Sequence, residues 1–388
     1  MKIALGDLFQ FIRNGISVKQ DSQATGLPIS RIETISKSIV NPNKVGYANL
    51  DGPNYDNWLL QNDDILFSHI NSIQHLGKCA IYEGSPKKLI HGMNLLCFRA
   101  DKTVVDSRYI LHYFRSKVFR PKLEKFIKPA VNQASVSIKD IKSIEIELPP
   151  LEEQRRIAEV LDKADALRQK RRLALQKLDT LLQSVFLEMF GDPSSVQNRL
   201  ISRPFGELIL NENSKRIPVK SSDRDDMSGE YPYYGASGVI DYVDDYLFDG
   251  SRLLIGEDGA NLLARSTPIA FIAHGKYWVN NHAHVLASNG SANLRFLEYV
   301  FSRIDLTPYI TGSAQPKLNR ANLDRIPIPS PPIELQDRFE HFYEKVEQIR
   351  RASRVARDNG DNFFRAMQQR AFKGELFKGS MPSVGFEP

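Results

Sequence analysis

Residues 148–167 read LPPLEEQRRIAEVLDKADAL, and residues 330–349 read SPPIELQDRFEHFYEKVEQI. One offset, 336 − 154 = 182, carries Gln154 onto Gln336. The same offset carries Gln133 onto Gln315, Phe190 onto Phe372, and Ile141, Ile144 and Ile146 onto Leu323, Ile326 and Ile328. A constant offset over about sixty residues marks an internal duplication. Further upstream, ALGDLF from Ala4 resembles PFGELI from Pro204 at an offset of 206 − 6 = 200, so the second copy is shorter by 200 − 182 = 18 residues.

Each copy predicts a long helix. The prolines hold the chain extended before the first turn, and Glu152, Glu153 and Glu334 sit where the helix dipole favours acids. From there Ile157, Val160, Ala164, Leu167, Arg171, Ala174, Leu178, Leu181 and Val185 recur in steps of three and four. Phe339, Phe342, Val346, Ile349, Ser353, Ala356, Gly360, Phe363 and Met367 repeat that phase. A helix from Leu151 to Phe190 measures roughly 60 Å at about 1.5 Å per residue, and alone it would leave a long apolar stripe in water. The expected partner is the other copy, in an antiparallel pair. Arg171, aligned with Ser353, reads either as a polar layer that fixes register or as an arginine snorkelling out of a loose seam. Asp358, Asn359, Gly360 and Asp361 predict a break in the second helix. Arg168, Lys170, Arg171 and Arg172 match a second basic cluster, Arg350, Arg351, Arg354 and Arg357, which suggests a shared anionic partner.

The expected class is α+β: two α/β modules related by a pseudo two-fold axis and separated by two long antiparallel coiled-coil helices. The expected boundaries are 1–148 for module one, 149–195 for its helix, 196–330 for module two, 331–378 for the second helix and 379–388 for a tail. Within module one, DDILFS at Asp63, GKCAIY at Gly77 and NLLCFRA at Asn94 read as strands before a helical RYILHYF. Module two repeats the order with SRLLIGEDGA, TPIAFIA, NHAHVLA and FLEYVFSRI.

The 388 residues, 41% hydrophobic and 25% charged, suffice for two ordinary cores. A net charge of +6 suits a polyanion. Cys79 and Cys97 lie 18 apart without a CxxC, so buried free thiols are expected in place of a zinc site or disulfide framework. With neither a signal peptide nor a membrane-length apolar run, a cytosolic protein with no membrane partner is expected.

Candidate DNA-reading side chains lie in loops. They are Ser68, His69, Asn71 and Gln74, then Lys128, Asn132 and Gln133 in module one, and Tyr234, Ser237 and Asn261, then Gln315, Lys317 and Asn319 in module two. Asn and Gln pair with adenine, and Lys holds phosphates. Catalytic patterns do not appear: both GK pairs lack the phosphate-loop context, and no GxSxG or HExxH occurs. His274, His282 and His284 read as strand histidines, core or groove, without a fixed carboxylate partner. GEDGA at Gly256 reads as a turn or a cytosine-reading loop and not as a metal site.

LGDLF, DILFSHIN, GKCAI, PPLEEQRRIAEVLDKAD, YYGASGVIDYVDDYLFDG, LLIGEDGA and GSAQPKLN together resemble the specificity subunit of type I restriction-modification enzymes, over nearly the whole chain. The resemblance implies two target-recognition domains, each reading half of a split duplex DNA target, with the long helices as spacer. It also implies docking of two methyltransferase subunits that bring S-adenosylmethionine and adenine-N6 chemistry, joined for restriction by motor-nuclease subunits using ATP and Mg. No catalytic residue, cofactor or metal is expected in this chain, where [DN]PP[FY] and a glycine-rich cofactor loop are absent. The competing readings are an enzyme with an unrecognised site and a coiled-coil adaptor without DNA affinity.

Overall fold

The computed structural model describes residues 2–21, 23–130, 133–193, 202–312 and 314–377. The chain forms two compact units: one runs up to Leu173 and resumes at Val355, and the other is Ala174–Arg354. Each unit is a module together with half of each long helix, and each is described by itself. The expected boundary at 195/196 and the tail 379–388 fall outside the described residues, as does Asn132.

In unit one, Lys2–Ala4 pairs antiparallel with Glu145–Glu147, setting Ile3 opposite Ile146. A four-stranded antiparallel sheet runs Phe9–Asn14, Leu96–Ala100, Ile65–Phe67, Cys79–Ile81. Its second-to-last strand in that order is apolar throughout because both faces are covered. Ile65 and Phe67 face the core that contains Tyr109, Phe114, Ile157 and Phe372, while Leu66 faces a second core with Leu89 and Cys97. Cys79 and Cys97 are buried free thiols. Helix Ser107–Phe114 crosses the first face, its start capped by Asp106, which accepts from the Arg108 and Tyr109 amides at 3.0 Å each. Such a cap stabilises a helix by about 1 kcal/mol.

Unit two repeats the framework. Ser202–Pro204 pairs with Pro327–Pro329, and the sheet runs Ile209–Asn211, Ala283–Ser288, Arg252–Gly256, Ala270–Ala273. Helix Leu294–Phe301 is capped by Asn293. What differs is the insert. Unit two adds a sheet ordered Gly238–Val243, Ser228–Gly235, Lys276–Val279, Phe248–Asp249, whereas unit one carries the two-stranded Ile29–Ser30 and Val45–Gly46.

The long helices are Leu151–Phe190 and Ile333–Phe372. Within each unit the start of one packs beside the end of the other. Ile157, Ala158 and Leu161 share a core with Phe364 and Phe372 in unit one, and Phe339 shares one with Phe186 and Phe190 in unit two. The rings of Phe372 and Tyr109 meet edge to face at 5.4 Å, and those of Phe186 and Phe339 at 5.2 Å. The modules are fastened by a duplicated glutamine. Buried Gln154 accepts from the Asp106 amide (3.0 Å) and donates to the carbonyls of Pro149 (2.9 Å) and Val104 (3.2 Å). Buried Gln336 accepts from the Asn293 amide (2.9 Å) and donates to the Pro331 carbonyl (2.8 Å). Each glutamine satisfies the backbone exposed at a helix cap and at the proline turn, which explains its identity at the duplicated position.

Three expectations are corrected. The second helix does not break at Gly360 but continues to Phe372. A Cβ on Gly360 would sit 2.5 Å from a guanidinium nitrogen of Arg171, which donates to the Ala356 carbonyl at 3.1 Å. The glycine is the space for that arginine, and Asp361 beside it receives Arg168 (2.6 Å) and Arg172 (3.1 Å). The polar layer at Arg171 is therefore built on Ala356, Gly360 and Asp361.

The second correction concerns the seam, which in the first helix includes positions one residue further along than expected. Ala158, Leu161, Leu182 and Phe186 are buried, whereas Leu167, Leu181 and Ile349 are 46%, 44% and 54% exposed. Ile157, Phe339 and Val346 are buried; Val160, Arg171, Leu178 and Phe342 are half-buried. The helices carry two adjacent apolar stripes, and spacing alone cannot tell which faces protein.

Third, the basic clusters are in part internally neutralised. Arg168 and Arg172 hold Asp361, and Arg350 holds Asp179 at 2.6 Å.

Candidate nucleic-acid interface

In both modules the loop after the second sheet strand in chain order meets the loop before the last short helix. The Val136 amide donates to the His69 carbonyl at 3.0 Å, and at the duplicated position, 318 − 136 = 182, the Leu318 amide donates to the Glu257 carbonyl at 2.7 Å. This recurring backbone pairing brings together the candidate residues of each module.

In module one the pairing extends into a three-stranded ribbon of Ile70–Asn71, Ala134–Ser135 and Lys128–Pro129, with Ala134 opposite both Asn71 and Pro129. Asn71, Gln74, Lys128 and Gln133 thus converge; Gln74, Lys128 and Gln133 are exposed. Arg120 anchors the loop by donating to the carbonyls of Ile73 (2.9 Å) and Leu76 (2.6 Å). Ser68 and His69 do not join the exposed set. Both are buried, and the Ser68 hydroxyl accepts from the Asn71 amide group at 3.1 Å. Burial lowers the His69 pKa to about 4, so the ring is neutral near pH 7.

In module two the antiparallel strands Ser228–Gly235 and Gly238–Val243 turn at exposed Ser237. The turn rests on Gly256, where a Cβ would stand 2.9 Å from the Ala236 carbonyl oxygen. Beside it, Lys317 and Asp258 form a backbone bridge, and Gln315 and Lys317 are exposed. Three candidates serve the fold instead. Tyr234 packs with Phe271 and Tyr277 (centroids 5.8 and 5.6 Å), Asn261 bonds the Thr267 backbone, and Asn319 caps the next helix through the Asn322 amide.

The acidic loop has partners that spacing did not reveal. Burial would raise Glu257, yet the Arg216 hydrogen bond (2.9 Å) and the charges of His284, Arg216 and Lys317 hold it below the usual carboxylate range. Asp258 grips His282 Nδ1 at 2.9 Å through both oxygens. The histidines therefore do have carboxylate neighbours: His282, half exposed in a turn, has Asp258, and buried His284 stands 3.8 Å from Glu257. His274 bonds Ser251 at 2.9 Å. His282 joins Ser237, Gln315 and Lys317 on the exposed loops. The sequence hides it because Asp258 is 24 residues away and meets it only through the sheet. Among the described residues no group of three or more His, Cys, Asp or Glu is placed to hold a metal.

Two copies of one framework, each offering polar and cationic side chains from paired loops, suit a long polyanion read at two places. A family model for the type I restriction modification DNA specificity domain matches residues 1–177 and again residues 204–352. The chain belongs to that family. It is 32% identical over 356 residues to the type I restriction enzyme MjaX specificity subunit of Methanocaldococcus jannaschii, covering 86% of this chain and 83% of the relative. Over 151 residues it is 40% identical to a type I restriction enzyme specificity subunit of Haemophilus influenzae, covering 39% and 37% of the two chains. The fold matches the S subunit of a type I restriction-modification system from M. genitalium, with a TM-score of 0.61 at 14% identity and coverage of 98% and 96%. A specificity subunit recognises DNA and is not the catalytic part of its complex. Among the described residues no helix is long and apolar enough to cross a membrane.

Proposed function

We propose that each module reads one half of a bipartite duplex target. Module one would use Asn71, Gln74, Lys128 and Gln133, with Asn132, which lies outside the described residues, in the same loop. Module two would use Ser237, Gln315, Lys317 and His282, while Ser68, His69, Tyr234, Asn261 and Asn319 shape the loops. The recurring backbone bond at Val136 and Leu318 carries this reading, because it presents the same loop pair in both copies. Exposed apolar residues on the helix halves, Leu167, Leu173, Val355 and Phe363 in unit one and Leu181, Leu187 and Ile349 in unit two, offer each unit a surface for one methyltransferase subunit. S-adenosylmethionine would then enter with those subunits, and ATP and Mg with a motor-nuclease subunit. The test is to exchange residues 1–148 for the corresponding module of a relative and map N6-methyladenine in cells. One half of the methylated sequence should change and the other persist; a change in both halves overturns the modular reading.

A further inference from the structure

A cleft that lies wholly in unit one encloses about 820 Å³ and is lined by module one and by both long helices. Its walls are cationic. Lys37, Lys78, Arg115, Lys117 and Arg365 line it, and among the described residues none of the five forms an ion pair. Arg115 donates to the carbonyls of Ser38 and Cys79, Lys78 to that of Ser36, and Arg365 to the Asp361 carbonyl and the Asn362 side chain. Arg168 and Arg172 on the same wall are neutralised by Asp165 and Asp361. Five uncompensated cations around one concavity raise the local potential and attract an anion.

The framework does not require Arg115 or Arg365, and unit two is the internal control. The caps Asp106 and Asn293 set an offset of 293 − 106 = 187 between the equivalent helices, which places Ser302 where unit one has Arg115. The long-helix offset, 365 − 183 = 182, places Gln183 where unit one has Arg365. Unit two builds the same framework without these two arginines.

We propose that this cleft is a sequence-independent clamp for the phosphate backbone of the DNA that module one reads. The inference rests on the reading given under Proposed function. Gln74, Leu76, Gly77 and Lys78 line the cleft and belong to the loop that carries Asn71, so the cleft continues directly from the recognition ribbon. Lys78, Lys37, Lys117 and Arg365 line the cleft that a strand leaving that ribbon would enter. Flexible lysines act as point charges suited to phosphates. The exposed apolar residues proposed above for a methyltransferase subunit, Leu167, Leu173, Val355 and Phe363, are not among those lining the cleft.

The test uses the full-length chain carrying Lys37→Gln, Lys117→Gln and Arg365→Gln together. These side chains are exposed and hold no ion pair, so the melting temperature should stay that of the parent. Binding to a mixed-sequence duplex is measured from about 50 to about 200 mM salt. Each lost phosphate contact removes about 0.9 from the slope of log affinity against log salt, so the slope should fall by about two to three, with affinity about tenfold or more weaker at the low-salt end. The methylated sequence in cells should be unchanged. Unaltered affinity and slope overturn the clamp while leaving half-site reading intact. Loss of methyltransferase binding with unaltered DNA affinity overturns it too, by making the cleft a protein dock. If the parent chain itself shows no salt-dependent DNA binding, the functional reading fails and not the clamp alone.

Discussion

The two places where the long helices meet solve one problem with different residues. At the offset of 182, Arg168 and Asp361 of unit one become Arg350 and Asp179 of unit two, and both pairs close at 2.6 Å. Arg171 becomes Ser353, and Gly360 becomes Leu178. At these aligned positions unit one holds arginine and glycine, and unit two serine and leucine. Summed volume is kept while chemistry is exchanged, as close-packed interfaces demand. Surroundings differ as well. Asp361 is 20% exposed and shared by two arginines, whereas Asp179 is 72% exposed and holds one. Backbone-satisfying positions are kept in duplicate, and volume at the crossing is negotiated locally.

The largest effect expected is at the kept positions. Gln154→Leu leaves three backbone groups without their partner, and Gln336→Leu leaves two. Each should cost about 2–4 kcal/mol in urea unfolding, the first at the upper end. A silent substitution at either would show that the duplicated glutamine is inherited and not needed. Next come the ion pairs. Asp361→Asn should cost about 1–2 kcal/mol and Asp179→Asn less than about 1 kcal/mol, because exposure screens the second. For Asp361, burial acts to raise the pKa, but the hydrogen bonds and charges of Arg168 and Arg172 outweigh it and hold the carboxyl below its usual range. A depressed folded-state pKa gives stability that is present above the unfolded value, about 3.9, and is lost as pH falls through the folded one. The difference between parent and Asp361→Asn should therefore shrink below about pH 4. A difference constant down to about pH 2 would mean that the carboxylate charge is irrelevant.

Much of this was legible in the chain. The offset of 182 locates both helices, and the apolar runs around Ile65 and Leu253 locate strands covered on both faces. Local rules failed where the deciding partner is remote. Gly360 reads as a breaker because its reason, Arg171, lies 360 − 171 = 189 positions away. Leu167 and Leu181 read as seam because two apolar stripes share one period. Ser68 and His69 read as binding residues because polarity in a loop does not report burial, and His282 reads as a strand histidine without a carboxylate because Asp258 arrives through the fold.

The smallest net effect should come from making unit one resemble unit two. Gly360→Leu alone removes the helical cost of glycine, about 1 kcal/mol, but fills the space held by Arg171 and displaces its bond to Ala356. Overpacking of this kind costs about 1–3 kcal/mol, so the single variant should be destabilised by about 1 kcal/mol. Arg171→Ser alone leaves a gap beside a glycine and removes the guanidinium bond to the Ala356 carbonyl, which keeps only its helical partner, again a loss of about 1 kcal/mol. Together the two changes reproduce the Ser353 and Leu178 combination and should return stability to within about 0.5 kcal/mol of the parent, a coupling near 2 kcal/mol in a double-mutant cycle. Additive losses would mean that the residues at this crossing do not compensate one another, and that Gly360 is tolerated there without making room for Arg171.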